Sequence, residues 1–530
     1  MSSSAFARAV DLLASSLPRP ALYGPNGSLI PDSFYSYRRQ GAKQTGSLKN
    51  WLPQKFYLPQ VEAFERERIL ERSIDLVNND PHAAGVVDTF GHTVVGAGLT
   101  PYPVLNPVAL PLDKETLREI QRQERAVYAR WEQFADVGRR TSFGWMQHLA
   151  MRSCIEYGEF LMLIHMVDDP ARPYMLACQL LNPLRLKTPT DMVGKEPLIN
   201  QGIEVGQYSE PVAYWVKKSS APGMARFADN SANFHRIPAF SGHRPNVLHG
   251  FIAKEPEQVR GYPFFAPALK MFRDLNDLLD AELVSNIVTA AFSLFIESAP
   301  QADPYTAAIN LATSTDDTTD QPIRYQEMIP GQIMYGSTGE KPHPIAASRP
   351  GVTFDPFVKL IKKALAASCG IPYTILFKDP EGLNFAGWRG AMLDAWRVFT
   401  AQRDFIGSSL CQPVYTMLQE EAYLKGELSI PDFYLNMHLV TQAEWRGSPK
   451  GDIEPIKAVQ ADVEAIQGNL KTRAEAIAER GGDLETTFDQ LEEEQQMMQK
   501  RNLAEAPVMR LPGEGTGMGQ EQEQKSGGTK

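Results

Sequence analysis

Phosphate chemistry needs a glycine-rich cradle that ends in a lysine, and the nearest candidate in this chain is "GQIMYGST", Gly331 to Thr338. Its glycines and trailing Ser-Thr have the right spacing. No lysine separates Gly336 from Ser337 to neutralise a phosphate, so the stretch reads as a turn in a hairpin. The glycine-rich "GEGTGMG" near the C-terminus follows no strand and opens no helix, which makes it linker and excludes a dinucleotide fingerprint.

His235, His243 and His249 are close in sequence, but Pro238, Gly242 and Pro245 fall among them and no carboxylate adjoins them. They read as loop and strand histidines, and no metal is expected. Cys154, Cys178, Cys369 and Cys411 lie far apart with no C-x-x-C pair. Cys154 and Cys369 sit in apolar helical contexts with no histidine base beside them, so reduced core thiols are expected. Neither a G-x-S-x-G elbow nor an H-E-x-x-H helix occurs. No catalytic residue and no cofactor is expected, because an enzyme reading would need clustered carboxylates that the chain does not show.

One stretch still combines charge, glycine and aromatics at meaningful spacing: "CGIPYTILFKDPEGLNFAGWRGAMLDAWRVFTAQ", residues 369–402. A helix stops at Gly370 and Pro372, a polar loop carries Lys378, Asp379 and Glu381, and a long helix starts near Asn384. Trp388, Met392, Trp396 and Phe399 form one stripe of that helix, which is the pattern of a face packed on a core. Arg389, Arg397 and Arg403 alternate with Asp394 and Asp404, the pattern of a solvated or subunit-facing surface.

The elements that must hold this stretch belong to a soluble globular chain of several structural units: 530 residues, 43% hydrophobic and 22% charged. A formal net charge of −10 argues against a general grip on nucleic acid or an anionic membrane. The N-terminal "MSSSAFARAVDLLASSLPRP" lacks the apolar run of a signal peptide, and no segment reaches membrane-spanning length, so synthesis inside the cell and no membrane partner are expected. After an arm over residues 1–60, Ile69, Ile74 and Leu76 mark a surface helix stopped by Asn79, Asp80 and Pro81. A charged helical pattern runs from Leu117 to Phe134, and a second uses Trp145, Leu149 and Cys154. Strands follow at Phe160–Met166, in "YMLACQLLNPLRLK" and in "GIEVGQYSEPVAYWVKK".

The clearest helix spans Ala266 to Glu297, with Phe272, Leu275, Leu279, Leu283, Ile287, Ala291 and Leu294 on one stripe; at 1.5 Å per residue it would run about 48 Å. A small β excursion containing "IRYQEMIPGQIMYG" follows. The chain returns in a helix with Asp355 as N-cap, Pro356 at its first position and Gly370 as its stop. Another helix breaks at Gly426 and Pro431, and an Ala/Glu/Gln-rich region from Pro455 to about Gln499 reads as two or more helices broken at Gly481 and Gly482. The last segment reads as a disordered tail. The fold class expected is α+β.

This order of parts, and the motifs inside it, resemble the lambda-type portal protein family of tailed bacteriophages. "RSIDLVNNDPHAAGVVDTFGHTVVGAGL" is similar to the family's helix ending in Asn-Asn-x-Pro before a Val-Gly-x-Gly turn, here Val95 to Gly98. "GIEVGQYSEPVAYWV" resembles its Gly-Ile-Glu strand pair, and "VLHGFIAKEPEQVRGYPFFAPAL" its Gln-x-Arg-Gly-x-Pro, here Gln258, Arg260, Gly261 and Pro263. "CGIPYTILFKDPEGLNFAGWR" resembles its Gly-Ile-Pro-Tyr and Asn-Tyr-Ser-Ser-x-Arg signature. Phe385 stands for the tyrosine, and Ala386 and Gly387 for the serine pair. The resemblance covers roughly residues 35–500.

What the resemblance implies is a homo-oligomeric ring, usually of twelve subunits, at the capsid vertex of a virion assembled in the host bacterial cytoplasm. Double-stranded DNA, held weakly and without sequence preference, would pass through it. The terminase large subunit, scaffold and major capsid protein, and neck or adaptor proteins would be its partners. In that picture residues 61–265 form a mixed α/β wing, 266–297 and 355–370 two stem helices, and 298–354 a small β-containing clip. Residues 371–387 would be a tunnel loop carried by a tunnel helix, 388–425, with a wing return and helical crown over 426–500 and a tail at 501–530. Lys378, Asp379, Glu381 and Asn384 would border DNA, with Lys378, Asp379 and Glu381 left free. Trp388, Met392, Trp396 and Phe399 would anchor the helix, and Arg389, Asp394, Arg397, Arg403 and Asp404 would face a neighbouring subunit. A head-tail adaptor or minor capsid protein is the alternative, although adaptors are usually much shorter.

Overall fold

The computed structural model describes residues 59–501 apart from 108–109, 111, 196, 219–228, 292–294, 299–339, 344–353 and 452–453. Most of the expected N-terminal arm, the strands read in "IRYQEMIPGQIMYG", the "GQIMYGST" turn, the "GEGTGMG" linker and the tail from 502 lie outside the described residues.

Helix α1 (Pro59–Asn79) ends at the expected stop, where Asp80 becomes the N-cap of α2 (Pro81–Phe90): its Oδ1 accepts from the Ala83 N–H at 2.7 Å. A π turn over Gly91–Val95 leads to strand β1 (Thr100–Pro103). Helix α3 (Lys114–Trp131) buries Leu117, Ile120, Glu124, Val127, Tyr128 and Trp131, one stripe at three- and four-residue steps. Helix α4 (Phe143–Glu156) is capped by Ser142 and turns Phe143, Met146, Ala150, Met151 and Cys154 inward. The stripe expected there is corrected, because Trp145 and Leu149 are exposed.

Strands β2 (Glu159–Met166) and β3 (Leu176–Leu181) follow, then β4 (Ile199–Asn200), β5 (Ile203–Val205), β6 (Pro211–Lys217) and β7 (Phe234–Pro238). A short hairpin, β8 (Phe240–Ser241) with β9 (Arg244–Pro245), precedes β10 (Val247–Phe251). They build two antiparallel sheets, ordered β10-β2-β3 and β4-β5-β6-β7. The side-chain period of two lets β2 serve two cores. Phe160 and Met162 join the large cluster shared with the helices, whereas Leu161 and Leu163 face a smaller one with Leu181, Ile203, Tyr214 and Val216.

Helix α5 (Leu269–Ala291) is shorter than the Ala266–Glu297 read from the sequence. Pro267 holds its start back, and beyond 294 the chain runs as strand β11 (Phe295–Ser298), in keeping with the strand preference of Phe and Ile. Strand β12 (Glu340–His343) pairs antiparallel with β11, Ile296 opposite Pro342, so the excursion leaves and re-enters through one two-stranded neck. Helix α6 (Phe354–Cys369) returns against α5; it starts ahead of Asp355, which sits in the first turn and is not the N-cap. Next come the short α7 (Tyr373–Leu376), α8 (Phe385–Ile406), a π turn over Gly407–Cys411 and α9 (Gln412–Leu424). The helix expected to start near Asn384 begins at Phe385, ahead of the 388 implied by the resemblance, and is interrupted by the π turn.

Helix α10 (Phe433–Val440) and strand β13 (Ala443–Arg446) close the body, with β13 pairing β1 antiparallel. Helices α11 (Pro455–Gln467), α12 (Arg473–Glu479) and α13 (Leu484–Lys500) follow, with the break at Gly481 and Gly482 where it was expected. They bury little, since Ala476 is the one buried residue among their described positions. Polar contacts hold α13 to α3: Arg125 donates to Asp483 and, at 3.0 Å, to Glu485.

Candidate functional site

The segment between α6 and α8 is positioned from both ends. Gly370 adopts φ +65°, the Ile371 N–H donates to the Ala366 carbonyl and the Gly370 N–H to that of Ala367. This is the six-to-one and five-to-two pattern of a Schellman stop, and Ile371 is buried beyond it. At the far end Asn384 caps α8, its Oδ1 accepting from the Gly387 N–H at 2.7 Å.

Between these ends the expectation that Lys378, Asp379 and Glu381 stay free is corrected for two of them. The Tyr373 hydroxyl donates to Asp379, whose other oxygen accepts from the Glu381 N–H at 3.1 Å. Those bonds hold the Asp379 carboxyl below its ordinary range. Glu381 forms an ion pair with Lys359 on α6. Lys362 of the same helix lies over the Phe377 ring, 5.5 Å from its centroid, and His82 meets that ring edge-on at 5.4 Å. Lys378, at φ +53°, is exposed and has no polar partner among the described residues. Backbone bonds inside the segment, from the N–H groups of Phe377, Asp379 and Leu383 to the carbonyls of Tyr373, Thr374 and Pro380, fix its course together with the side chains that reach α6.

Helix α8 is buried unevenly. Phe399 is 2% exposed and meets Phe90 edge-on, centroids 5.5 Å apart, and Ala395 and Ile406 are also buried. Trp388, Met392 and Trp396 are only partly covered by the same core, and Phe385 and Leu393 are about half exposed. Arg403, expected on a subunit surface, is instead turned inward. It donates to the carbonyls of Val94 at 3.0 Å, Thr93 at 3.1 Å and Ser448 at 3.2 Å, and stacks over Trp396. Orphan carbonyls beside the π turn after α2 are the reason, since a guanidinium offers several donors at once. Arg389, Asp394 and Arg397 are exposed and lack side-chain polar partners among the described residues; Asp404 is exposed too, its carbonyl accepting from the Ser408 hydroxyl at 2.8 Å.

A buried charge cluster ties the start of β2 to α1, β10 and the chain at Arg260-Gly261, and sequence reasoning missed it. Glu159, fully buried at the start of β2, accepts from Arg66 at 2.8 Å, from Arg260 Nε at 2.9 Å, from His249 Nε2 at 3.1 Å and from the Gly261 N–H at 3.0 Å. Burial pushes the carboxyl up, but Arg260 and Arg66 outweigh it and hold Glu159 well below the usual carboxylate range. Burial lowers His249, leaving it neutral, and lowers Arg66 to about 10. Arg260 also donates to the carbonyls of Leu186 at 3.0 Å and Gln201. Close backbone contact makes this possible: a Cβ on Gly261 would lie 2.0 Å from the Gly158 carbonyl oxygen, and one on Gly158 would lie 2.2 Å from the Tyr262 carbonyl carbon. The available signal was Gly158-Glu159 opening an apolar strand, together with Arg260-Gly261.

The remaining sequence candidates fall apart in space. His243 and Arg244 both pair with buried Glu420 on α9, His249 belongs to Glu159, and His235 is exposed on β7. All four cysteines are free and buried, and burial raises Cys369 to about 11 and the other three further. Thiols so raised are poor nucleophiles. Among the described residues no group of His, Cys, Asp or Glu has metal-site geometry, and no helix is long and apolar enough to cross a membrane.

Helices hold a short, tied-down segment, and the charged residues of the interior serve packing. The lambda-family phage portal model matches residues 44–403, and the chain belongs to that family. It is 22% identical over 498 residues to the portal protein of Escherichia phage N15, covering 89% of this chain and 92% of that one. Against portal protein B of Escherichia phage lambda the identity is 22% over 495 residues, with 89% and 91% covered. A chain from the neck of a native gene transfer agent particle, computed with C12 symmetry, superposes loosely, with a TM-score of 0.41 and 13% identity over 76% of this chain and 91% of that one.

Proposed function

We propose that copies of this chain form a ring, usually of twelve, at one vertex of the procapsid, through which double-stranded DNA is packaged and later ejected. The observation that carries the reading is the apolar surface left bare on α5 and α6. Leu283, Val284 and Ile287 on α5 are each about 60% exposed, and Phe357 and Leu360 on α6 are 51% and 62% exposed. At roughly 25 cal/mol per Å² of apolar area, leaving five such side chains in water is costly, so α5 and α6 fit stem helices that neighbours cover.

In this reading the excursion over residues 298–354 is the clip that meets the terminase large subunit and later the neck or adaptor proteins. The mixed α/β region over 61–265 is the wing toward scaffold and major capsid protein, and residues 426–500 are the wing return and crown. The segment over 371–387 borders the channel on a helix anchored at Phe399. Lysines neutralising phosphates release counterions and tighten binding steeply, so a conduit needs few of them. Leu376 to Leu383 carries one lysine against one aspartate and one glutamate, and Glu381 is already matched by Lys359.

Negative-stain imaging with native mass determination of the purified full chain tests the ring. Axial views with a central hole and a mass near twelve chains of 59.0 kDa are expected. A stable monomer or dimer that persists with the capsid partners present overturns it. Two or three lysines added between Leu376 and Leu383 should slow packaging, and unchanged rates would remove the segment from the channel.

A further inference from the structure

Two exposed ridges of this chain are complementary to each other. On α5, Asp280, Leu283, Val284 and Ile287 follow at three- and four-residue steps; all are exposed, and Asp280 has no polar partner among the described residues. On α8, Phe385, Arg389, Leu393 and Arg397 follow at strict four-residue steps, also exposed, and both arginines lack polar partners among the described residues. One ridge is apolar with an acid at its end, and the other alternates apolar and basic. Neither is covered by the described residues of the chain.

We infer that the α8 ridge of one subunit packs on the α5 ridge of the next, with Asp280 of one copy set against the Arg389 or Arg397 side of its neighbour. The occupant is a second copy of this chain because each ridge supplies what the other lacks, and both are needed once per subunit. A contact between two different faces is heterologous, and such contacts propagate head to tail until rotation closes them into a ring. Rows at four-residue spacing interdigitate with the helices crossing at about −50°, the commonest helix packing. Apolar residues supply the area, and the Asp–Arg pairing selects the register, since like charges brought together across an interface are strongly unfavourable.

The inference rests on the ring reading, and charge reversal with cysteine trapping separates the two. In the full chain, Asp280→Arg alone and Arg389→Asp with Arg397→Asp should each lower the ring fraction about tenfold or more at low salt, and the triple variant should recover rings. Unchanged melting of these exposed-site variants shows that each subunit remains folded. Leu393→Cys combined with Val284→Cys should give disulfide-linked ladders under mild oxidation, free of competition because the native cysteines are buried. Wild-type rings with reversals that assemble normally, or with no ladder, overturn the interface and leave the ring standing. Failure of the wild-type chain to form rings with its capsid partners removes both.

Discussion

Arg260 grips Glu159 in the interior, its Nε 2.9 Å from Oε2, with 2% and 0% of the two side chains exposed. Neither residue can lose the other cheaply. Arg260→Met should destabilise the protein by about 3–5 kcal/mol, the usual cost of stranding one charge of a buried pair. Thermal unfolding followed by circular dichroism reads this. A loss below about 1 kcal/mol, the range of surface pairs, would show that the cluster is not a structural tie.

The same cluster sets a pH dependence. Glu159 is held below its usual range in the fold, so its ionised form contributes stability that is fully present above the unfolded value of about 4.3. That contribution is lost as pH falls through the lower folded value. The stability gap between wild type and Glu159→Gln should therefore be widest near neutrality and narrow progressively below about pH 4. Paired melts between pH 3 and pH 7 check it, and a gap that widens on acidification would contradict the assignment.

Gly158 and Gly370 both have positive φ, yet replacing them should have different consequences. A Cβ on Gly370 meets nothing within 4 Å, so Gly370→Ala should cost only the backbone preference, about 1 kcal/mol. A Cβ on Gly158 runs into the Tyr262 backbone and forces β2 away from Arg260. Gly158→Ala should be largely insoluble, and expression with differential scanning calorimetry separates the two outcomes.

Anchoring along α8 should be graded. Phe399→Ala removes a fully packed ring and should cost about 3–5 kcal/mol, while Trp388→Ala, at the partly covered end, should cost distinctly less. Asn384→Ala should cost about 1 kcal/mol through the lost cap. Equal losses for Phe399 and Trp388 would mean that the helix is held along its whole length.

Glu381 is largely exposed, so solvent screens its pair with Lys359 and the pair adds little to global stability. Its effect should be local. Glu381→Gln should leave the melting temperature unchanged and raise amide exchange over residues 378–383. Unaltered exchange would show that Tyr373 and Asp379 hold the segment without it.

Much of the element order was legible because it depends on local pattern. Short apolar runs marked β2 and β6, the Asn79-Asp80-Pro81 stop marked the α1–α2 break, and Gly370 marked the end of α6. Reading failed where tertiary contact decides. Trp145 and Leu149 have helical spacing, yet α4 turns its other face inward. Leu283 and Ile287 complete an apolar stripe that no described residue covers. Arg403 looked like its neighbours Arg389 and Arg397, and only the carbonyls near the π turn after α2 distinguish it. The partners of Glu159 come from positions 66, 249, 260 and 261, so no local window contains them. Asp379 and Glu381 were read as free because their partners, Tyr373 and Lys359, lie on elements whose approach the sequence does not encode locally.

The pairing of Phe295–Ser298 with Glu340–His343 has a consequence beyond architecture. It holds the departing and returning chain about 4.8 Å apart, the spacing of neighbouring strands, whatever lies between them. Closing a longer or shorter span across a fixed gap changes the entropy only logarithmically. Residues 299–339 can therefore be lengthened, trimmed or exchanged wholesale while α5 and α6 keep their course. The neck works as a standard coupling: what is attached beyond it can vary without redesign of the two helices that carry it.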